Sequence, residues 1–265
     1  MSNYTRVVKN MADADYRNEV GVSQSMLKPL FVSPAHYKHQ FTVEREVTQA
    51  MIVGTATHLA CFQPALYDSS VAVSQKFDKR KTEDKIAYAK FQEENAGKII
   101  LSQDENALCL DMAEQVRSHP MFYQFCTKGD AEVSLFSDVL PYENVKLKGR
   151  LDWVNWDSKC VFDLKTTNAS LSEMYKVKNV FLDNMYHMQA AYYLTLLQHN
   201  GFDGFRFFFI MVEKEAPHGV RVFEVSEKSI KRQMELINLA LAKLEHCIQH
   251  DAWVSYETDS TIIDI

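Results

Sequence analysis

The sequence lacks the cysteine patterns that build metal clusters or disulfide frameworks. Its 265 residues include five cysteines, an odd number, and no two of them form a C-x-x-C pair. They are scattered along the chain as Cys61, Cys109, Cys126, Cys160 and Cys247. This usage is typical of reduced thiols in a cytoplasm, and it gives no zinc or iron–sulfur spacing.

Long apolar runs and targeting segments are also missing. No hydrophobic stretch reaches the roughly 20 residues that a bilayer span needs. The opening residues, MSNYTR, lead into nothing that resembles a signal peptide. We therefore expect a cytoplasmic protein with no membrane partner.

The chain has no linker rich in Gly, Ser or Pro and no internal repeat, so a single domain over residues 1–265 is the expectation. Hydrophobic residues make up 46% of it, which is enough for a packed core. Positive charge is not in excess, because the net charge is −6. That argues against a protein that coats nucleic acid through bulk charge, although a local basic groove stays compatible with it.

Periodicity predicts an α/β domain with a mixed central sheet flanked by helices. We expect a helical N-terminal part at about residues 1–62 and an α/β core at about residues 100–250. Strands are predicted at 131–139, 145–156, 159–166, 205–214 and 220–225. Helices are predicted at 48–62, 102–119, 184–199 and from about residue 227 onward.

Capping signals sharpen several of these boundaries. Ser33 followed by Pro34 is typical of an N-cap with proline at the first helical position. Ser102 with Glu105 forms a capping box, and the stretch SLSE at 170–173 has the spacing of a second one. The sequence thus predicts three helix starts at defined residues.

Charged residues interrupt the strands at 145–156 and 159–166. Asp152 lies in the first, and Asp163 and Lys165 flank Leu164 in the second. Because side chains alternate along a strand, Asp163 and Lys165 share a face, and Asp152 on a neighbouring antiparallel strand lies beside Asp163. Two close carboxylates suit a hard divalent cation, Mg²⁺ or Mn²⁺. The alternative is a buried Asp–Lys ion pair, with Asp152 paired to Arg150 or capping a turn.

Several further stretches accompany the arrangement G-R-x-D…D-x-K-T-T at 149–167. They are VSQSMLKPLFVSPAHYK (22–38), VGTATHLACFQP (53–64), KFDKRKTEDKIAYAKF (76–91), SHPMF (118–122), AEVSLF (131–136) and MYHMQAAYY (185–193). In this order the series resembles the PD-(D/E)xK nuclease superfamily and, within it, the RecE-type exodeoxyribonucleases (exodeoxyribonuclease VIII) of phages and prophages. The resemblance runs from about residue 22 to beyond residue 210 and implies a PD-(D/E)xK nuclease core.

The resemblance implies roles for individual residues. Asp152 and Asp163 match the two metal-binding aspartates, and Lys165 matches the catalytic lysine. His58 matches a histidine of the metal shell, and the backbone carbonyl of Leu164 is a further implied ligand. A histidine ligand would help an Mg²⁺ site accept Mn²⁺.

Three more residues are candidates for the same site. Glu132 enters the strand before Asp152 as a candidate metal ligand, with a surface glutamate of an edge strand as the alternative. Gln189 and Tyr193 match a Q-x-x-x-Y motif of the family. Their i, i+4 spacing places both on one helical face, where they contact a substrate phosphate or order the site. The alternative for this pair is the boundary of an amphipathic helix.

Five basic residues and one threonine are the candidates for DNA contacts. The set comprises Arg80, Lys81, Lys85, Lys148, Arg150 and Thr166, with Lys76 and Lys79 in the same basic stretch as Arg80. Phosphate binding is the functional interpretation. A solvated charged loop, or hydroxyls that satisfy strand ends, is the alternative.

The resemblance implies an Mg²⁺-dependent exonuclease that digests linear double-stranded DNA from its ends. It further implies 5′→3′ polarity, 3′ single-stranded tails for a strand-annealing protein, and a ring-shaped homo-oligomer, a trimer or tetramer, in a bacterial host cytoplasm. One alternative is a RecB-like nuclease of other polarity or a structure-specific endonuclease. Another is a catalytically silent DNA-binding scaffold.

Overall fold

A six-stranded mixed sheet forms the centre of the computed structural model, which describes residues 4–44, 46–77, 80–139 and 141–256. The strands of the described chain are β1 (Arg6–Val8), β2 (Val71–Ser74), β3 (Ile99–Ser102), β4 (Asp130–Val139), β5 (Tyr142–Asn155), β6 (Cys160–Thr167), β7 (Arg206–Glu213) and β8 (Val220–Glu224). The large sheet has the order β1-β4-β5-β6-β7-β8. Within it, β6 and β7 run parallel and the other neighbours antiparallel. The predicted α/β fold with a mixed sheet is confirmed.

Helices connect and cover these strands. They are α1 (Asp13–Asn18), α2 (Gln24–Leu27), α3 (Pro34–His39), α4 (Gln49–Phe62), α5 (Pro64–Ser70), α6 (Thr82–Glu94), α7 (Gln103–Ser118), α8 (Pro120–Phe125), α9 (Met174–Asp183), α10 (Tyr186–His199) and α11 (Glu227–His250). A short 3-10 helix, Lys28–Phe31, follows α2 directly. Among the described residues, no helix combines the length and the apolar character that crossing a bilayer requires.

The two faces of the sheet carry separate hydrophobic clusters. Alternate residues of β7 divide between them, with Phe207 and Phe209 in the cluster that includes α10 and α11, and Phe208 and Ile210 in the cluster that includes α4 and α7. This is the period-two alternation of a strand that is buried on both faces. The sheet is therefore a central layer between two layers of helices.

Side-chain caps fix most of the predicted helix starts. Ser102 accepts from the Glu105 amide while the Glu105 carboxylate accepts from the Ser102 amide, so the predicted capping box of α7 is present. Ser33 caps α3 as expected. The second predicted box is wrong: the Ser170 hydroxyl pairs with that of Ser172, and α9 begins at Met174 without a side-chain cap.

The N-terminal part is not purely helical, which differs from the prediction. Residues Arg6–Val8 form β1, which pairs with β4 at the edge of the large sheet. The polar stretch at 74–100 also contains a feature that its composition did not indicate. There β2 and β3 form a separate parallel pair, with α6 as the crossover helix between them. Such pairs depend on contacts between residues far apart in sequence, which local patterns do not encode.

Candidate active site

The candidate site lies at a fork where β5 and β6 part. Their antiparallel ladder runs from Asn155 opposite Cys160 to Trp153 opposite Phe162 and ends there. The next facing positions are Asp152 and Asp163. The two aspartates that the sequence singled out therefore occupy the first positions beyond the ladder.

Side chains replace the missing strand partner at Leu164. Its amide donates to Asp152 Oδ2 over 2.9 Å. Its carbonyl oxygen lies 2.7 Å from His58 Nε2. The Leu164 side chain is fully buried in the hydrophobic cluster that includes α4. Both polar main-chain groups at the fork are thus satisfied, as buried backbone groups must be.

His58 reaches the fork from α4 and is held there as an imidazolium. Its Nδ1 lies 3.0 Å from Asp152 Oδ2, while its Nε2 faces the Leu164 carbonyl. Since both partners are acceptors, both ring nitrogens donate, which requires the protonated ring. Burial alone would lower the pKa of His58, but the Asp152 carboxylate outweighs it and raises the pKa to about 9. Burial would raise the pKa of the Asp152 carboxyl, but the positive charge of His58 outweighs burial and lowers that pKa.

Glu132 completes a three-residue donor cluster. One ligand atom each from His58, Glu132 and Asp152 lies within 4.8 Å of the other two. Glu132 is half-buried and has a positive φ of 51°, a strained conformation for a residue with a Cβ. Burial and the charge of Asp152 raise its pKa to about 7. The interpretation of Glu132 as a surface residue of an edge strand does not fit this position.

Asp163 and Lys165 form a second group beside the donor cluster. Asp163 is 1% exposed, and Lys165 Nζ lies 2.6 Å from its Oδ1. The Gln189 amide from α10 donates to Asp163 Oδ2. Burial and Asp152 raise the pKa of Asp163 to about 6. Burial would lower the pKa of Lys165, but Asp163 and Asp152 outweigh it and raise that pKa.

The donor set fits a hard divalent cation. Two carboxylates, one imidazole and a nearby main-chain carbonyl are ligand types that Mg²⁺ and Mn²⁺ accept. Buried carboxylates that repel each other are typical of a metal site, because the cation neutralises them. Asp163 differs from the prediction, because it is not part of the 4.8 Å cluster and its oxygens contact Lys165 and Gln189 instead. A bound divalent ion would supply charge neutralisation and polarisation of a phosphodiester.

Tyr193 and Tyr186, both on α10, border the same region. Gly149 of the G-R-x-D stretch makes room for Tyr193, since a Cβ there would lie 2.9 Å from Tyr193 Cε1. Tyr186 was not among the predicted site residues, although it lies in the stretch 185–193 that contributes to the family resemblance. The Lys165 ammonium sits 5.2 Å from the centroid of its ring. Asp163 and Tyr186 thus contact the Lys165 ammonium from two sides.

Two of the predicted DNA contacts are engaged elsewhere. Lys148 is 7% exposed, and its Nζ donates to the carbonyls of Tyr16, Arg17 and Glu19, at and just beyond the end of α1. Arg150 donates to the carbonyls of Met11 and Ala12 at the start of α1 and to the Ser134 hydroxyl. That these two side chains also contact DNA stays a prediction. They fasten the N-terminal segment to β5.

The other predicted contacts are not gathered at the site. Arg80, Lys81 and Lys85 are exposed, at the start of α6 and just before it. Lys79 lies outside the described residues. Thr166 is half-buried in β6. Their roles stay predictions.

Comparisons with known proteins place the chain in a family. Residues 23–261 match the family described as "PDDEXK-like domain of unknown function (DUF3799)", and the chain belongs to that family. The predicted membership of the PD-(D/E)xK superfamily is thereby confirmed. Among curated proteins, no sequence matches this chain significantly.

The chain is similar to solved structures. A crystal structure of a candidate exonuclease from Eubacterium rectale has a TM-score of 0.63, covers 95% of this chain and 97% of that chain, and is 14% identical. A phage-related exonuclease from Haemophilus somnus 129PT has a TM-score of 0.34 over 89% of this chain and 98% of that chain, at 10% identity. At 14% identity, the first likeness concerns the fold.

Proposed function

We propose that this protein is a metal-dependent exonuclease that hydrolyses phosphodiester bonds at the ends of linear double-stranded DNA. The observation that carries the proposal is the donor cluster of His58, Glu132 and Asp152 beside the Asp163–Lys165 ion pair. Membership of a PDDEXK-like family gives that arrangement its chemical context. Mg²⁺ is the expected ion, and Mn²⁺ should substitute because of the histidine.

In this proposal Lys165 acts on the substrate, while Asp163 and Gln189 hold Lys165 in position. Lys165 carries a positive charge that Asp163 fixes in place, so its ammonium is available to orient the attacking water or to stabilise charge on the phosphate. Gln189 holds the other oxygen of Asp163 and so sets the direction of the pair. Because Asp163 and Gln189 are buried, the position of the Lys165 ammonium is fixed before the substrate binds.

Three further proposals depend on the RecE-type resemblance: the direction of digestion, the single-stranded tails of the DNA product and the oligomeric assembly of the protein. We propose 5′→3′ digestion, release of 3′ single-stranded tails to a strand-annealing protein, and a ring-shaped homo-oligomer in a bacterial host cytoplasm. The exonuclease name of the Eubacterium rectale protein agrees with the activity but extends to this chain only as support. The five cysteines are free and buried, which suits a reducing compartment.

The decisive assay uses the full chain with duplex DNA labelled at either the 5′ or the 3′ end. With Mg²⁺, linear DNA should be degraded while covalently closed circles are spared, and EDTA should stop the reaction. Asp163→Ala should abolish degradation, whereas Asp111→Ala, at an exposed position of α7, should not. Cleavage of closed circles would instead indicate an endonuclease, and undiminished activity of Asp163→Ala would overturn the assignment of the site.

A further inference from the structure

A cleft of about 560 Å³ opens beside Lys165, between the N-terminal segment 13–28 and α10. Lys165 and Gln189 line it, and both also contact Asp163. The cleft is therefore continuous with the candidate active site. Its volume is within the range that protein pockets use for small ligands.

Gln24, which lines the cleft, has an unused hydrogen-bond donor. Its side chain is 6% exposed, and Nε2 has no partner among the described residues. A buried amide without a partner costs free energy, because it has given up its hydrogen bonds to water. Such a group in a folded protein calls for an explanation, and a ligand that supplies an acceptor is one.

The charge of the lining selects the kind of ligand. Five basic residues, namely Arg17, Lys28, Lys148, Arg150 and Lys165, line the cleft with one acidic residue, Asp13. The whole chain, by contrast, has a net charge of −6. Although Lys148 and Arg150 have their donors engaged with carbonyls, their positive charges remain, and Lys28 gives one of its three donors to the Asn184 carbonyl. Asp13 pairs with both Arg17 and Arg150, and Asp163 pairs with Lys165. Five positive charges thus face two negative ones, so the potential in the cleft favours an anion.

We propose that the cleft binds one phosphate group of the DNA strand, next to the phosphate that is cut, and that the Gln24 side-chain amide donates to it. This inference rests on the proposed function and adds a substrate contact to it. A phosphate oxygen supplies the acceptor that Nε2 lacks, and Lys28 and Lys165 supply charge on either side. The cleft then holds the strand in register while the neighbouring phosphodiester faces Lys165.

Binding without turnover tests the contact directly. The probes are short duplexes in EDTA, each with one phosphate replaced by an uncharged methylphosphonate, and the readout is fluorescence anisotropy. In the wild type, one position near the end should lower affinity about tenfold, as expected for a hydrogen bond to a charged group. Gln24→Met, which keeps length but removes the donor, should bind unmodified DNA about tenfold more weakly and lose most of its response to that same position. Gln115→Met, at an exposed position of α7, is the matched control and should behave as wild type.

A thermal melt separates this contact from a structural role. Because Nε2 is unsatisfied, Gln24→Met should not lower the melting temperature and should raise it by about 2–4 °C. If Gln24→Met fails to fold, Gln24→Glu gives the same test, since a carboxylate repels phosphate. Wild-type affinity in either variant, or undiminished response to the methylphosphonate, overturns the inference while the nuclease proposal stands. Binding of the probes by a wild type that digests no DNA with Mg²⁺ or Mn²⁺ would instead reject the nuclease proposal.

Discussion

Binding of a metal ion at the fork should displace a proton from His58. The ring is protonated, with one nitrogen donating to Asp152 and the other to Leu164. A nitrogen can ligate a metal only after it loses its proton, so the ion and the proton compete for the same lone pair. The metal-bound form then carries fewer protons than the free form. Affinity must therefore rise as the pH rises.

The size of the effect follows from the pKa of His58, which is about 9. At pH 7 the ring must lose a proton about two units below its pKa, which costs about 2.7 kcal/mol at about 1.36 kcal/mol per unit. Affinity at pH 7 should accordingly be about a hundredfold weaker than above pH 9, with a slope of about tenfold per pH unit between. Below pH 7 the slope should steepen, because Glu132, with a pKa of about 7, also becomes protonated.

Isothermal titration with Mn²⁺, in two buffers of different ionisation enthalpy, measures both affinity and proton release. At pH 7.5 about one proton should leave for each ion bound. His58→Gln should release about one proton fewer, while His39→Gln, at an exposed position, should match the wild type. A wild type whose affinity stays flat between pH 6.5 and 8.5, with no proton released, would refute this account of the site.

Three further outcomes are expected. Lys165→Met should reduce digestion of linear duplex DNA by at least about a hundredfold in an end-label assay. The control, Lys243→Met on the exposed face of α11, should digest DNA as the wild type does. Comparable rates for the two variants would exclude a catalytic role for Lys165. Lys148→Met should lower the free energy of unfolding by about 2 kcal/mol in urea titration, because three carbonyls lose a charged donor. Gly129→Ala should cost more than about 2 kcal/mol in the same assay, since a Cβ would lie 2.2 Å from the Val154 oxygen at a φ of +146°; an unchanged midpoint would contradict that contact.

Local chemistry made much of the fold predictable. The Ser102 capping box and the Ser33-Pro34 start each depend on neighbouring residues, and both appear where the sequence places them. The strands carrying Asp152 and Asp163 were predictable too, because their apolar neighbours alternate or run continuously. The second capping box failed because Ser170 has a serine partner two residues away that competes for its hydroxyl.

Contacts between segments far apart in the chain could not be predicted from local sequence patterns. Lys148 looks like a phosphate ligand in sequence, yet its carbonyl partners lie about 130 residues earlier in the chain. The turning of Asp163 toward Gln189 depends on how α10 packs on the sheet. Gln24 and Tyr186 lie in stretches that contribute to the family resemblance, but only the packed structure shows that both line the cleft.

The hydrogen bond from the Leu164 amide to Asp152 makes one acidic side chain serve as a substitute for a neighbouring strand. A change at Asp152 therefore removes a tie to the main chain together with a charge, whereas a change at Lys165 removes side-chain contacts, chiefly the ion pair with Asp163. Investigators who want an inert version of this protein that keeps its fold should alter Lys165 and leave Asp152 in place.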